Sequence, residues 1–172
     1  MSSLPKVSIV TPVYNGAGYI RKTLESIVNL DLQISYECIV IDDGSTDNSL
    51  EVISEFSAQV QVLTQENIGE AATVNRGISL ARGEYVLVVN ADDPLLNGRL
   101  LELASEILDG DDSIVAVYPD WKVIDSDGNT IRVVKVADYS LINLIGRNMC
   151  LPGPGTVFRK SSALRIKGRN PD

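Results

Sequence analysis

Histidine is absent from the 172 residues. That absence excludes imidazole acid/base chemistry and histidine-ligated zinc. Any metal must take oxygen ligands, and any general base must be a carboxylate or something rarer. Cysteine is scarce: Cys38 and Cys150 lie far apart in unrelated contexts. They supply neither a disulfide framework nor a metal-ligand cluster, which fits a reducing compartment. Positive charge is also short, with 15 Lys and Arg against 23 Asp and Glu and a net charge of -8. Counterion release on a nucleic acid needs a basic surface, so no nucleic-acid partner is expected. A small phosphorylated ligand stays open, because an acidic chain can bind one through a metal. No stretch approaches the roughly 20 apolar residues of a membrane span. Met1 to Lys6 lacks the regions of a signal peptide. These absences predict a cytoplasmic protein without a transmembrane segment, with peripheral membrane association left open.

What is present is an alternation of strand and helix patterns. Val7 to Val13 reads as a buried strand, and Ile20, Leu24, Ile27 and Val28 fall on one helix face. Cys38 to Ile41 is a second buried strand, followed by a polar turn and a helix carrying Leu50, Ile53 and Phe56. Val60 to Leu63 reads as a third strand, and Ala71 to Ala81 as a helix capped by Gly83. Tyr85 to Val89 is a strand apolar on both faces. Leu100, Leu101, Ala104, Ile107 and Leu108 mark a further amphipathic helix. Such alternation indicates an α/β fold with a Rossmann-like, mostly parallel sheet flanked by helices.

Beyond about residue 110 the pattern becomes β-rich. Ile114 to Tyr118 reads as a strand, and Val123-Ile124 with Ile131 to Val136 as a hairpin turning at Asp125 to Asn129. Leu141 to Ile145 is a weak helix, Thr156 to Phe158 a last strand, and Ser161 opens a last helical turn. The reading is one domain over 1–172, with a nucleotide-type α/β half to about 110 and a more irregular β-rich half over about 111–172.

Three polar clusters end three strands: Thr11 to Asn15, Asp42-Asp43, and Asn90-Ala91-Asp92-Asp93. The carboxyl ends of parallel strands line the ligand crevice of an open sheet. Tyr14 is suited to stack on a base, and Asp43 to accept from a base N–H or a ribose hydroxyl. Asp92 is suited to hold a hard divalent cation on a diphosphate. Against this, Asp93 reads equally well as a helix N-cap. Gly16-Ala17-Gly18 offers a weak dinucleotide-binding alternative and thus an oxidoreductase. Arg21 stands where that fingerprint needs its third glycine, so a flexible loop is the better reading. Trp121 beside Asp120 suits a sugar face or partial packing. Arg159 and Lys160 suit a phosphate less well than solvated surface.

Taken in order, the motifs resemble those of family-2 nucleotide-sugar glycosyltransferases over nearly the whole chain. The resemblance rests on Val7 to Gly16, Ile39 to Asp47, Asn67-Ile68-Gly69, Asn75 to Ile78, Ala81 to Tyr85, Asn90 to Asp93 and Pro154 to Arg159. It implies the GT-A fold, with a nucleotide-binding half joined to an acceptor half, and a metal-dependent, inverting transfer of a sugar from a nucleotide diphosphate, UDP-linked by expectation. The acceptor would be a hydroxyl on a sugar, lipid or protein, with polysaccharide biosynthesis as the setting. Thr11, Pro12, Tyr14, Asp42, Asp43, Asn90 and Ala91 would then form the nucleotide site, and Asp92 would ligate Mn²⁺ or Mg²⁺. Two departures stand out. Asn90 replaces the first acid of the family's Asp-x-Asp motif, and the general base is expected beyond Asp172. The alternative is a non-catalytic nucleotide-sugar binding module.

Overall fold

The computed structural model describes residues 4–140 and 153–168. The predicted helix at Leu141 to Ile145, Cys150 and Asp172 lie outside the described residues. A six-stranded sheet runs in the order β3-β2-β1-β4-β8-β5. Its parallel part comprises β1 (Val7–Val13), β2 (Tyr36–Asp42), β3 (Gln61–Thr64) and β4 (Tyr85–Val88). The short β8 (Val157–Arg159) runs antiparallel between β4 and β5 (Ala116–Val117). The second half of the chain therefore completes the same sheet. Among the described residues, the hairpin of β6 (Trp121–Ile124) and β7 (Thr130–Val134) forms a separate two-stranded sheet.

Every residue of β1 is buried, as a strand covered on both faces requires. Val7, Ile9 and Val13 pack with α1 (Ile20–Val28), α2 (Ser49–Ser54) and α4 (Arg99–Gly110). Val10, with Ile39, Ile41 and Val86, packs with Val74 and Ile78 of α3 (Glu70–Leu80), with Ala81 just beyond that helix, and with Ala163 of α5 (Lys160–Arg165). The alternating side chains of β1 thus separate two apolar cores. Helix α3 approaches β1 closely enough that a Cβ on Gly77 would lie 2.3 Å from Val10 Cγ1. Glycine there is a packing requirement.

Several boundaries depart from the periodicity, each for a local reason. Val60 donates its N–H to the Phe56 carbonyl and closes the turn after α2, so β3 starts one residue later. Leu50 is exposed and Ser49 takes its buried place, because α2 lasts only six residues and Phe56 lies beyond it. In α4 the buried stripe is Leu101, Ala104, Ser105 and Leu108, leaving Ile107 exposed. The expected strand at Ile114 to Tyr118 shrinks to two residues because it pairs only with the three-residue β8.

Gly83 does not cap α3. The helix ends where Ala81 turns extended, at φ -54° and ψ 136°. Gly83 instead lies against β1, where a Cβ would come within 2.6 Å of the Ser8 nitrogen. Its N–H donates to Ser8 Oγ at 2.8 Å.

Arg159 is neither a phosphate contact nor solvated surface. Its side chain is 12% exposed and donates to the carbonyls of Leu108, Asp111 and Ile114, tying α4 to the sheet. Lys160 Nζ likewise donates to the Ala81 carbonyl.

Candidate functional site: the carboxyl edge of the parallel strands

The loops after β1 and β2 are fastened together. Asn15 occupies the left-handed region at φ 51°, which Asn tolerates better than most residues. In that conformation its Oδ1 accepts from the Thr46 N–H at 2.8 Å, the Thr46 hydroxyl at 3.2 Å and the Asp47 N–H at 3.3 Å. Its own N–H donates to Ser45 Oγ at 3.0 Å. Gly16 donates to Ser49 Oγ at 2.8 Å, and Ala17 to Asp47 Oδ2 at 3.1 Å. Hydrogen bonding, chiefly from Ser49, holds the Asp47 carboxyl below its usual range.

The two glycines after β1 differ, Gly18 being exposed with open space around it. Gly16 is buried, and a Cβ on it would sit 3.1 Å from Ala91 Cβ. That contact joins the first loop to the acidic turn after β4. Thr23 of α1 strengthens the join by donating to the Ala91 carbonyl at 2.8 Å. The clusters after β1, β2 and β4 meet along one edge of the sheet.

Within the acidic turn, Asp92 is exposed and Asp93 is half-buried. Asn90 Nδ2 donates to Asp93 Oδ2 at 3.1 Å, while Asn90 Oδ1 is buried with no hydrogen-bond partner. Burial and the neighbouring charge of Asp92 push the Asp93 carboxyl up, and the Asn90 hydrogen bond opposes them. Asp93 is not an N-cap. Helix α4 begins at Arg99 with Gly98 as its cap residue, well downstream.

Asp43 is 2% exposed, beneath the segment after β3. Its Oδ1 accepts from Gln65 Nε2 at 2.6 Å and the Ile68 N–H at 3.0 Å. Its Oδ2 accepts from the Gly69 N–H at 3.0 Å. Burial pushes this carboxyl up, yet the donors outweigh burial and hold it below its usual range. Asp42 is also buried, with Oδ2 accepting from the Ser45 N–H at 3.3 Å and Oδ1 unpartnered.

Among the residues expected to shape a nucleoside pocket, Tyr14 presents a ring that is 53% exposed. Thr11 and Pro12 are enclosed, and Thr11 stands beside Cys38. Burial pushes the Cys38 thiol up to about 12, so it stays protonated and inert. Asp120 accepts from Lys135 Nζ and the Val136 N–H, which commits it to the hairpin. Trp121 packs close to Gly153, where a Cβ would meet the indole nitrogen at 2.8 Å. Asp125 organises the hairpin turn by accepting from the N–H groups of Asp127 and Asn129.

Three polar residues of this edge, Gln65, Thr73 and Arg76, carry no role in the sequence reading. Gln65 Nε2 also donates to Thr73 Oγ1 at 2.8 Å, and Arg76 Nη1 donates to Gln65 Oε1 at 2.5 Å. Gln65 directly follows β3, so the strand-end rule that marked the other clusters could have found it. Thr73 and Arg76 sit on a helix, where no such rule singles them out.

The turn also has the donor chemistry for a hard cation. Asp92 and Asp93 are adjacent carboxylates, and Asn90 adds an unmatched amide oxygen. Among the described residues no group of three or more acidic or sulfur ligands gathers. A cation such as Mg²⁺ is commonly held by one or two carboxylates, with phosphate oxygens and water completing its shell. The residues fit a cation shared with a phosphorylated ligand, and they do not form a cage of their own.

The family model for glycosyl transferase family 2 matches residues 8–164. The chain belongs to that family. It is 37% identical to Glycosyltransferase GlyG of Streptococcus pneumoniae over 143 residues, covering 80% of this chain and 46% of that protein. It is 33% identical over 131 residues to the Chondroitin synthase of Pasteurella multocida, covering 74% of this chain and 13% of that one.

Among solved structures, S. aureus TarS 1-349 in complex with UDP has a TM-score of 0.71 at 23% identity, covering 94% of this chain and 48% of that one. The mannosyltransferase PcManGT from Pyrobaculum calidifontis, in complex with GDP-Man and Mn²⁺, has a TM-score of 0.71 at 21% identity, covering 99% and 49%. At such identities the likeness shows the fold, which is the GT-A type. The family-2 chain spans less than half the length of each of these four proteins.

Proposed function

We propose that this family-2 chain forms the donor-binding part of a metal-dependent, inverting glycosyltransferase that takes a UDP-linked sugar. The observation that carries this reading is the joining of the loops after β1, β2 and β4 at one crevice edge, with Asp92 exposed on it. The complexes of UDP with TarS and of GDP-Man and Mn²⁺ with PcManGT support a nucleotide-sugar donor and a divalent cation.

Each residue then has a task. Tyr14 offers a ring for stacking on the base, and Asp43 accepts a base N–H. Thr11, Pro12 and Asp42 shape the loops from behind, and Ala91 fixes the turn against Gly16 and Thr23. Asp92, with Asp93 beside it, would hold Mn²⁺ or Mg²⁺, and Asn90 offers its free oxygen to a ribose hydroxyl or metal-bound water. Bound there, the cation supplies positive charge to the diphosphate as it leaves.

In the transfer, the acceptor hydroxyl oxygen forms a bond to the anomeric carbon as the bond to the diphosphate oxygen breaks. Attack from the face opposite the leaving diphosphate in this single displacement inverts the anomeric carbon, and the hydroxyl proton passes to a carboxylate base. No described residue is assigned that base. The acceptor, a sugar, lipid or protein hydroxyl, and the cytoplasmic setting belong to the same proposal.

Titration calorimetry of the chain with UDP and Mn²⁺, with NADH as the control, tests the reading. Binding of UDP that weakens when the metal is chelated supports it. Binding of NADH in preference to UDP overturns it. A donor-turnover assay on the full protein separates a catalyst from a binding module, which would bind without transferring or hydrolysing the sugar.

A further inference from the structure

Asp43 is approached from one side by a chain of hydrogen bonds that begins at an arginine. The Arg76 guanidinium carries N–H donors and no acceptor, so it can only donate. It donates to Gln65 Oε1, so the amide of Gln65 has one allowed orientation, with Nε2 turned away from Arg76. Nε2 then donates to both Asp43 Oδ1 and Thr73 Oγ1. A second hydrogen bond, from Arg76 Nη1 to the Thr64 carbonyl at 3.5 Å, ties the guanidinium to the end of β3. The Thr73 side chain also lies within hydrogen-bonding reach of Asp43, and the backbone N–H groups of Ile68 and Gly69 donate to it. Those two residues are exposed, in contrast to Thr73, which is fully buried. A base reaching Asp43 would have to replace a loop amide, since the carboxylate is 2% exposed and both of its oxygens already accept hydrogen bonds.

We propose that Arg76 is a positioning residue for donor selection: through Gln65 it holds the Asp43 carboxylate where it can accept from a ring N–H of the base, which favours nucleoside diphosphates whose base carries that ring proton at its pairing edge. Uracil presents N3–H there. Cytosine presents a bare N3, which would face a carboxylate with no proton between them. A buried site built to receive a hydrogen bond rejects a ligand that lacks the donor far more strongly than it rejects a change of size. The inference rests on the proposed donor-binding role of Asp43, and it adds the residues that hold that carboxylate in place.

The test is calorimetry with UDP and CDP, each with Mn²⁺, on the chain as it stands and on Arg76→Met, Arg76→Lys and Gln65→Met. The unaltered chain should prefer UDP. Arg76→Met frees the Gln65 amide to turn, and the UDP-to-CDP ratio should fall about tenfold, the scale of one charged hydrogen bond. Arg76→Lys, still a pure donor, should keep most of the preference. Gln65→Met should behave as Arg76→Met does. A simple structural role would weaken both nucleotides together and leave the ratio unchanged, which would overturn the inference. Equal binding of UDP and CDP by the unaltered chain would also overturn it, because Asp43 would then be reading a ribose hydroxyl. Binding of neither nucleotide removes the donor reading itself, and this inference with it. Thermal melts of each variant separate a lost fold from a lost preference.

Discussion

The Asn90 amide donates to the Asp93 carboxylate at 3.1 Å and leaves its own Oδ1 buried and unmatched. An amide at position 90 thus stabilises a half-buried acid that a carboxylate there would repel. Asn90→Asp should lower the melting temperature of the metal-free chain. The lost charged hydrogen bond costs about 1–3 kcal/mol, at roughly 2–4 °C per kcal/mol for a chain of this size. Mn²⁺ should restore stability in the variant more than it stabilises the unaltered chain, since three carboxylates attract it more strongly. Thermal melts with and without Mn²⁺ measure both effects. A variant as stable as the parent without metal contradicts the electrostatic account of Asn90.

Asp93 and Asp43 should give opposite pH dependences. The Asp93 carboxyl is raised in the folded chain by burial and by Asp92, so folding favours its protonated form. Its unfavourable contribution is absent below the unfolded pKa and develops as pH rises through the folded value. Asp93→Asn should therefore be the more stable chain at neutral pH, with the advantage fading as the pH drops. Asp43 is lowered, so its stabilising contribution is present above the unfolded pKa and is lost as pH falls through the folded value. Urea midpoints of Asp93→Asn and Asp43→Asn across acid to neutral pH check the two signs.

Removing Asp43 should also open the segment it holds. Asp43→Ala deprives Gln65 and the Ile68 and Gly69 N–H groups of their acceptor. The expected cost is about 2–3 kcal/mol. Hydrogen exchange should accelerate first at the Ile68 and Gly69 amides. Exchange that speeds up evenly over the whole chain would contradict the local role.

Glycine 77 offers a packing test away from the site. Gly77→Ala places a Cβ 2.3 Å from Val10 Cγ1 and 3.4 Å from Ile41 Cδ1. Overpacking of this kind costs about 1–3 kcal/mol. Adding Val10→Ala should recover part of the loss by making room, which a double-mutant cycle of melting temperatures would show. Additive losses would contradict a direct clash.

The fold was legible where a physical period or a strand end marked it. The apolar runs at Val7 to Val13 and Tyr85 to Val89 gave the central strands, because burial on both faces leaves no room for polar alternation. The heptad-like spacing of Ile20, Leu24 and Ile27 gave α1 for the same reason. The strands β5 and β8 were legible as strands, but their bounds and their antiparallel pairing with each other and with β4 were not, because no local pattern states a pairing partner. Gly83 was misread because a glycine after a helix suits a cap, whereas this one answers to the β1 backbone 75 residues away. At the site, the strand-end clusters were visible, but their fastening was not. The Asn15 contacts with Thr46 and Asp47, and the line from Arg76 through Gln65 to Asp43, join residues that only folding brings near.

The central claim is that Asp92 helps hold a divalent cation on the diphosphate of a bound donor. The most direct measurement is calorimetry of UDP with Mn²⁺ on the unaltered chain, Asp92→Ala and Asp92→Asn, each checked by thermal melting. Since Asp92 is exposed, both variants should fold as the parent does. The account predicts that the parent binds UDP more tightly with Mn²⁺ than with chelator, and that this gain disappears in both variants. Metal-dependent UDP binding that survives unchanged in Asp92→Ala would contradict it.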